Sequence, residues 1–554
     1  MTYWLSISGR SSEFINGLIC SEDVLYFIIV TALFLLLTIF HLQASRQRSS
    51  FSVVWGKYVG IIVSAVMLGY ITSRPVARCF YDATRMKVNT LTPASQEIVR
   101  SVKGGLTITT YSNILDKYGY LTLPERINND LRRFREFLRF KPEIKMKYVY
   151  YYDTATDPSL ERRFPNMTNR ERAQKLAVIY NFDFKKLLSP QEIRERIDLS
   201  EEANRFVRVV ERASGEKTFL RVFDDPDIFP SEAEISVAFR RLVEPSPTFG
   251  FLHGHGERDN HALGERDYGV FALYKPFRYS LINQGVDFVD VTLEREISSD
   301  VNLIIIADMR SSLTPRESEN LDKYIARGGN LIVFGDVNRQ EQMNTLVQRF
   351  GVEFMPGILV NKIVGSLPNQ LMAKVSLKAK ELAYAFYQMV TWKTRLTLNG
   401  CVGINCFEDK GFDVTPLLVT DSTGSWNEME TTNFVDDTVR LNPVAGEIER
   451  SNVAALALSR DMNGKKQKII IMGDADWLSN SAVNEFANYS FLTGICSWVT
   501  NNKVPLDTRR PEAIDNRMFL SQDQVRILKL TLVWGLPLVL LLTALLMWFR
   551  RRGR

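Results

Sequence analysis

The sequence predicts an α/β protein: an extracytoplasmic, doubly wound domain and a smaller α/β domain, anchored by three transmembrane helices. Three observations carry this expectation. Apolar runs such as Val301–Ala307 (VNLIIIA), Asn330–Phe334 (NLIVF) and Lys468–Met472 (KIIIM) alternate with capped helical segments, the pattern of a parallel sheet with crossover helices. Two long apolar stretches lack charge and a third holds one lysine. And 554 residues, 45% hydrophobic and 24% charged, exceed what one core holds, which implies several folded units and little disorder.

The membrane elements come first along the chain. Val24–Gln43 contains no Asp, Glu, Lys or Arg and is long enough to cross a bilayer core. Ser52–Thr72 does the same if Lys57 extends toward the head groups. Leu530–Phe549 is a third span, itself uncharged, and a buried core helix rarely stays apolar on every face for so long. The loop between the first two spans carries Arg46, Arg48 and Lys57 without an acid, and the tail carries Arg550, Arg551, Arg552 and Arg554. By the positive-inside rule both are cytoplasmic, which leaves the N-terminus and residues 74–529 outside. Arg74, Arg78, Arg85 and Lys87, just after the second span, weigh slightly the other way. The late first apolar run, closely followed by another, argues against a cleaved signal peptide.

The outer region divides at about residue 225. In 74–225, Leu106–Tyr111 (LTITTY) and Ile144–Tyr152 (IKMKYVYYY) read as strands around a helix over Pro124–Phe140 that turns Ile127, Leu131, Phe134 and Leu138 inward. In 226–508, Ser231-Glu-Ala-Glu234 is a capping box opening a helix with Ile235, Ala238, Phe239 and Leu242 inward. A strand over Thr248–His253, a helix over Tyr268–Gln284 and the strand Val301–Ala307 follow. Thr314-Pro315 starts the next helix and Gly328-Gly329 ends it. The sheet this implies is mostly parallel and doubly wound, of Rossmann or flavodoxin-like type. From about 351 to 455 the pattern is irregular and reads as an insertion. The sheet then resumes, a helix from Asn484 to Thr500 closes it, and 509–529 forms a stalk back to the membrane.

The five cysteines include one close pair, Cys401 and Cys406, which an oxidising compartment could join, though two free thiols fit equally. The net charge of +6 is small for the length and no basic-aromatic interleaving points to nucleic acid. No G-x-x-x-x-G-K-[ST] phosphate loop is present.

Five pieces resemble the auxiliary component of gliding-motility-type ABC transporters, the GldG-like proteins. They are Asp82–Val99, Phe251-Leu-His-Gly-His-Gly-Glu257, Leu417–Trp426, Ile470–Asn480 and Asn488–Val499, in matching order and spacing. Residues 1 to about 45 are similar to the end of an ABC-2-type permease, seen in Gly17–Phe27. The resemblance implies a class I amidotransferase-like fold and an accessory subunit of the bacterial cytoplasmic membrane. It implies as partners a separate ABC ATPase and an ABC-2-type permease. It gives no cofactor.

Within that fold, loops leaving the carboxyl ends of strands share one edge, where ligands bind. His253, Gly254, His255, Gly256 and Glu257 leave one strand there, and Asp308, Asp336 and Asp474 each follow an apolar strand. Histidines with carboxylates suit zinc or manganese, with Glu257 as a base. Equally, the two glycines permit a tight turn and strand-end Asp residues cap helices. The second account is preferred, giving a shaped binding edge with no catalytic residue and no metal. No G-x-C-x-G or G-x-S-x-G elbow occurs to supply a nucleophile. Three functions compete: a transporter subunit binding an envelope partner or exported cargo, a membrane-tethered metal-dependent hydrolase of sugar or peptide, and a structural anchor. The first is expected.

Overall fold

A computed structural model of the chain describes residues 7–46, 50–74, 78–362, 365–431, 433–462, 464–511 and 520–552. Arg48 of the basic loop, residues 512–519 of the stalk and Arg554 of the tail lie outside the described residues. The chain forms two units, Met1–Thr90 with Arg509–Arg554, and Leu91–Thr508.

In the first unit, helices Ser21–Arg46, Phe51–Thr72 and Gln522–Arg550 are each long and apolar enough to cross a membrane. None of their described Leu, Ile, Val and Phe side chains is buried, as on a surface solvated by lipid. The third helix widens into one π-turn at Thr531–Gly535. Pro537 accounts for it, because proline lacks an N–H and its ring crowds the carbonyl four residues back. A short antiparallel pair, β1 (Leu18–Cys20) with β2 (Phe80–Asp82), joins the chain before the first span to the chain after the second. Asp82 then fixes the exit, its carboxylate accepting from the backbone N–H groups of Thr84 and Asn89.

The second unit holds two sheets. In the smaller, β3 (Leu106–Asn113) and β4 (Ile144–Tyr151) run parallel, and β5 (Val207–Arg212) and β6 (Lys217–Arg221) continue antiparallel in the order β4-β3-β5-β6. The crossover differs from the single amphipathic helix predicted over Pro124–Phe140. It breaks at Phe134 into Ile127–Arg133 and Arg135–Phe140. The break turns Phe134, Phe137 and Asp130 inward together. Asp130 is drawn in by partners on two strands: Arg208 donates to it at 2.5 Å and the Tyr148 hydroxyl at 3.0 Å. Helix Glu232–Arg241 opens with the Ser231 capping box as read. It buries Ile235, Ala238, Phe239 and Leu242 against Leu106, Ile108 and Val210 of this smaller sheet.

The larger sheet has nine strands, flanked by two short pairs. In chain order the strands are β7 (Thr248–Leu252), β8 (Asp287–Val291), β9 (Val301–Ala307), β10 (Asn330–Phe334), β11 (Val352–Phe354), β12 (Ile358–Asn361) and β13 (Gln370–Val375). Then come β14 (Arg395–Asn399), β15 (Ile404–Cys406), β16 (Asp413–Val419), β17 (Ser425–Glu428), β18 (Val453–Met462) and β19 (Lys465–Met472). Five run parallel in the order β8-β7-β9-β10-β19. Beyond β19 the sheet continues antiparallel through β18, β16, β13 and β14. Helices Pro315–Ala326 and Gln340–Val347 pack on one face, and Tyr384–Thr391 and Phe486–Val499 on the other. The sheet is therefore doubly wound, as predicted, but only half parallel. Residues 351–455, expected as an irregular insertion, supply three of its strands as well as the flanking pairs.

The helix expected over Tyr268–Gln284 is a single turn, Gly269–Ala272. Tyr274 N–H turns back to the Gly269 carbonyl at 2.9 Å, and Pro276, without an N–H, cannot continue a helix. The following residues fold back along the turn, with Leu281 and Ile282 N–H groups bonded to the carbonyls of Phe271 and Ala272.

Candidate functional site

The parallel strand order, second-first-third-fourth-fifth, is the flavodoxin-like one, and its winding reverses at β7. The crevice of such a sheet opens beyond the carboxyl ends of β7 and β9, so the loop Phe251–His261 leaves β7 at the switch point. Gly254 and Gly256 have φ of +124° and +76°, so both need glycine's freedom. The loop is latched to the end of β9: Arg258 N–H donates to the Ala307 carbonyl at 3.2 Å and Arg310 N–H to the His255 carbonyl at 2.8 Å.

The three histidines of this loop do not converge. The buried His255 ring lies between two carboxylates, with Nδ1 3.3 Å from Glu257 Oε1 and Nε2 3.3 Å from Glu317 Oε2. Glu257 also accepts the His255 backbone N–H at 2.7 Å. Glu317 is the capping-box glutamate of helix Pro315–Ala326, and the Thr314 hydroxyl, with the Thr314 backbone N–H, holds its carboxyl below the usual range. His253 and His261 point the other way and share Asp290 at the end of β8, at 3.4 and 3.0 Å. Among the described residues, one set of three metal-capable side chains has its ligand atoms within 4.8 Å of one another: Glu13, Cys20 and Asp23, in the other unit.

The centre of the edge belongs to Arg258. Its side chain is 3% exposed. It donates to Asp336 at 2.7 Å, forms an ion pair with Asp476 at 2.6 Å, and lies 3.7 Å from Asp308. Arg266 reinforces it from solvent, 3.1 Å from Asp336 and 3.3 Å from Asp476, and Arg339 donates to Asp308 at 3.2 Å. Asp308 itself has φ +53°, a strained value for aspartate. Burial works against the Arg258 charge, but Tyr268 and the carboxylates of Asp476 and Asp336 outweigh it and raise its already high pKa. Asp336 is pushed up to about 6 by burial and by Asp476, in spite of its guanidinium partners.

Asp474 is fully buried and accepts from the backbone N–H groups of Asp476 at 2.6 Å and Asn399 at 2.9 Å. Burial first, and then Asp336 and Asp476, push its carboxyl up to about 8. Beneath it, Tyr268 donates to the Ala475 carbonyl at 2.7 Å. Cys401 is buried there as well, and all five cysteines are free thiols.

The structure thus brings Asp308, Asp336 and Asp474 to one edge with the loop, as the strand pattern implied. It pairs His255 with Glu257 and Glu317 but turns His253 toward Asp290, so the three do not form one ligand set. Sequence reasoning missed Arg258, Arg266, Asp290, Glu317 and Asp476. One signal was available: an edge with this many strand-end carboxylates needs an internal cation, and Arg258 is the first cation after β7.

Comparison with known proteins bears on this domain. The family model described as "ABC-type uncharacterized transport system", an auxiliary-component family, matches residues 246–495, from just before β7 into helix Phe486–Val499. Residues 246–495, which hold the larger sheet, are therefore similar to auxiliary components of ABC-type transport systems. No curated protein matches the chain. Solved structures similar to it include the mmIFT52 N-terminal domain, at 14% identity and a TM-score of 0.33, covering 46% of this chain and 97% of that one. ThuA-like proteins from Bacteroides uniformis and Parabacteroides merdae match at 13% and 10% identity, both with a TM-score of 0.26. They cover 46% and 49% of this chain and 93% and 98% of their own.

Proposed function

We propose that this chain is a non-enzymatic accessory subunit of a gliding-motility-type ABC transporter, anchored in the bacterial cytoplasmic membrane. Its larger unit stands outside the membrane and binds a protein partner or exported cargo at the sheet edge. A separate ATPase supplies the energy and a separate ABC-2-type permease the path, with the N-terminal segment retaining permease-like sequence.

Arg258 carries this reading. An enzyme of this architecture keeps its switch-point crevice open for substrate or cofactor. Here a guanidinium bridges Asp336 and Asp476. The carboxylates of Asp308, Asp336 and Asp476, which would ligate a metal or orient water, already face cations. What remains outward is a mixed rim, polar at His261 and Arg310 and apolar at Leu263, which suits recognition of a protein surface.

The test is purification of the full chain in mild detergent from its own membranes, with identification of what accompanies it. An ABC ATPase and a permease are expected to co-purify, and Leu263→Glu should weaken retention of a further envelope protein or cargo. Recovery of the chain without either transporter subunit, but with tightly bound zinc or manganese that His253→Ala with His255→Ala abolishes, would refute the proposal and favour a metal-dependent hydrolase.

A further inference from the structure

Helix Tyr384–Thr391 shows two unlike faces. It buries Phe386 and Met389, and the Phe386 ring meets Phe491 of helix Phe486–Val499 at 5.3 Å. Three and seven residues apart on the other side, Tyr384, Tyr387 and Thr391 face outward. The two tyrosine rings stack at 5.8 Å. Trp392, which ends the helix, is 61% exposed, and Leu377, in the turn before it, is 74% exposed. An aromatic and aliphatic crest of this kind marks an interaction surface.

Its charge narrows the partner. Segment Leu377–Lys393 contains Lys378, Lys380 and Lys393 against one acid, Glu381, a net of +2. All three lysines are exposed, and none enters an ion pair among the described residues. Tryptophan and tyrosine flanked by lysine is the chemistry of a bilayer interface, where rings settle at head-group depth and ammonium groups meet phosphate. The chain also keeps such a surface close. The second unit ends at Thr508 and the third apolar helix begins at Gln522. The thirteen residues between them span at most roughly 45 Å when fully extended.

We propose that Leu377, Tyr384, Tyr387 and Trp392 form a lipid-contact patch that seats the second unit on the anionic phospholipid surface of the membrane holding the chain. The lysines supply attraction to phosphate and the rings supply depth. Because the tether sets a high local concentration, the contact can be weak and reversible, allowing the unit to lift and settle. The proposal does not depend on what binds the sheet edge, so either can fail alone.

The test uses the full chain in nanodiscs of phosphatidylcholine, with or without phosphatidylglycerol. In a background lacking native cysteines, Trp392→Cys carries an environment-sensitive fluorophore, and Val444→Cys, 96% exposed on the same unit, serves as reference. With phosphatidylglycerol present, the Trp392 probe should shift to the blue, lose quenching by iodide several-fold and gain quenching by doxyl lipids. The Val444 probe should not change. Lys378→Glu with Lys380→Glu and Lys393→Glu should abolish the response. Equal iodide quenching at both positions in both nanodiscs overturns the proposal, as does protection of Trp392 only when the ATPase and permease are added. Hydrogen exchange on the unmodified chain gives the same decision without substitutions: anionic lipid should slow exchange across Tyr384–Thr391, and unchanged exchange rejects the patch.

Discussion

Arg258 is buried for an electrostatic reason. Asp308, Asp336, Asp474 and Asp476 end or follow three adjacent parallel strands, and like charges at that spacing repel strongly away from water. Three of the four have guanidinium partners. Asp474 has no ion-pair partner among the described residues, and burial with its neighbours pushes it up to about 8. It is therefore neutral at pH 7 in the folded chain and ionised in the unfolded one, whose aspartates titrate near 3.8. The stability that comes from keeping it neutral is complete below about pH 4. That stability falls as pH rises through the folded value and is gone above about pH 8. Asp474→Asn should remove this slope. Asparagine sets an NH2 against one of two backbone N–H donors, so the variant should melt below the wild type at pH 5. The gap should narrow or reverse by pH 9, and a gap independent of pH would show that Asp474 ionises normally. At this scale the sequence was half legible. Apolar runs ending in Asp announced the edge, because an aspartate cannot sit inside such a strand. Position alone favoured Arg258, the first cation after β7, but its inward turn and the outward turn of Arg266 depend on strands far away in the chain.

The elements divide by whether their signals are local. The helix starts at Ser231 and Thr314 were legible, because each capping box is a reciprocal contact within four residues. Tyr268–Gln284 was misread, since its apolar spacing imitates a helix while Pro276 and non-local bonds to Phe271 and Ala272 fold it back. The strands within 351–455 were hidden because they are short and interrupted by turns, and antiparallel pairing with distant neighbours defines them. One close approach in this region gives an element-scale prediction. A Cβ on Gly494 would overlap the Phe386 ring, so helix Phe486–Val499 packs against helix Tyr384–Thr391 only with glycine there. Gly494→Val should force the two helices apart and cost about 1–3 kcal/mol, the usual range for overpacking a core. Chemical denaturation of the full chain in detergent should show the loss, and Phe386→Ala should partly restore stability in the Gly494→Val background. Additive losses in the double variant would mean that the two side chains do not compete for the same space.

For the whole molecule, the three spans were plain because a stretch free of charge and apolar on every side has few other uses. The pairing of β1 with β2 was not, since it joins segments separated by two spans. Orientation rests on charge. The first loop and the span ends beside it hold Arg46, Arg48 and Lys57 without acids, and a cluster of arginines follows the third span. Translocating such short basic flanks is unfavourable, whereas a large folded unit crosses largely regardless of its own charge. With three spans, the proposed cytoplasmic first loop and tail would put the second unit outside. Arg74, Arg78, Arg85 and Lys87 weigh the other way, but they head a segment of several hundred residues, and long segments translocate largely regardless of charge. The prediction is read with single cysteines at Ser50, beside the first loop, and at Val444, 96% exposed on the second unit. On intact spheroplasts a membrane-impermeant maleimide should label Val444→Cys at once and Ser50→Cys only after permeabilisation. The opposite pattern would place the sheet edge in the cytoplasm, and no exported cargo or envelope partner could then be its ligand.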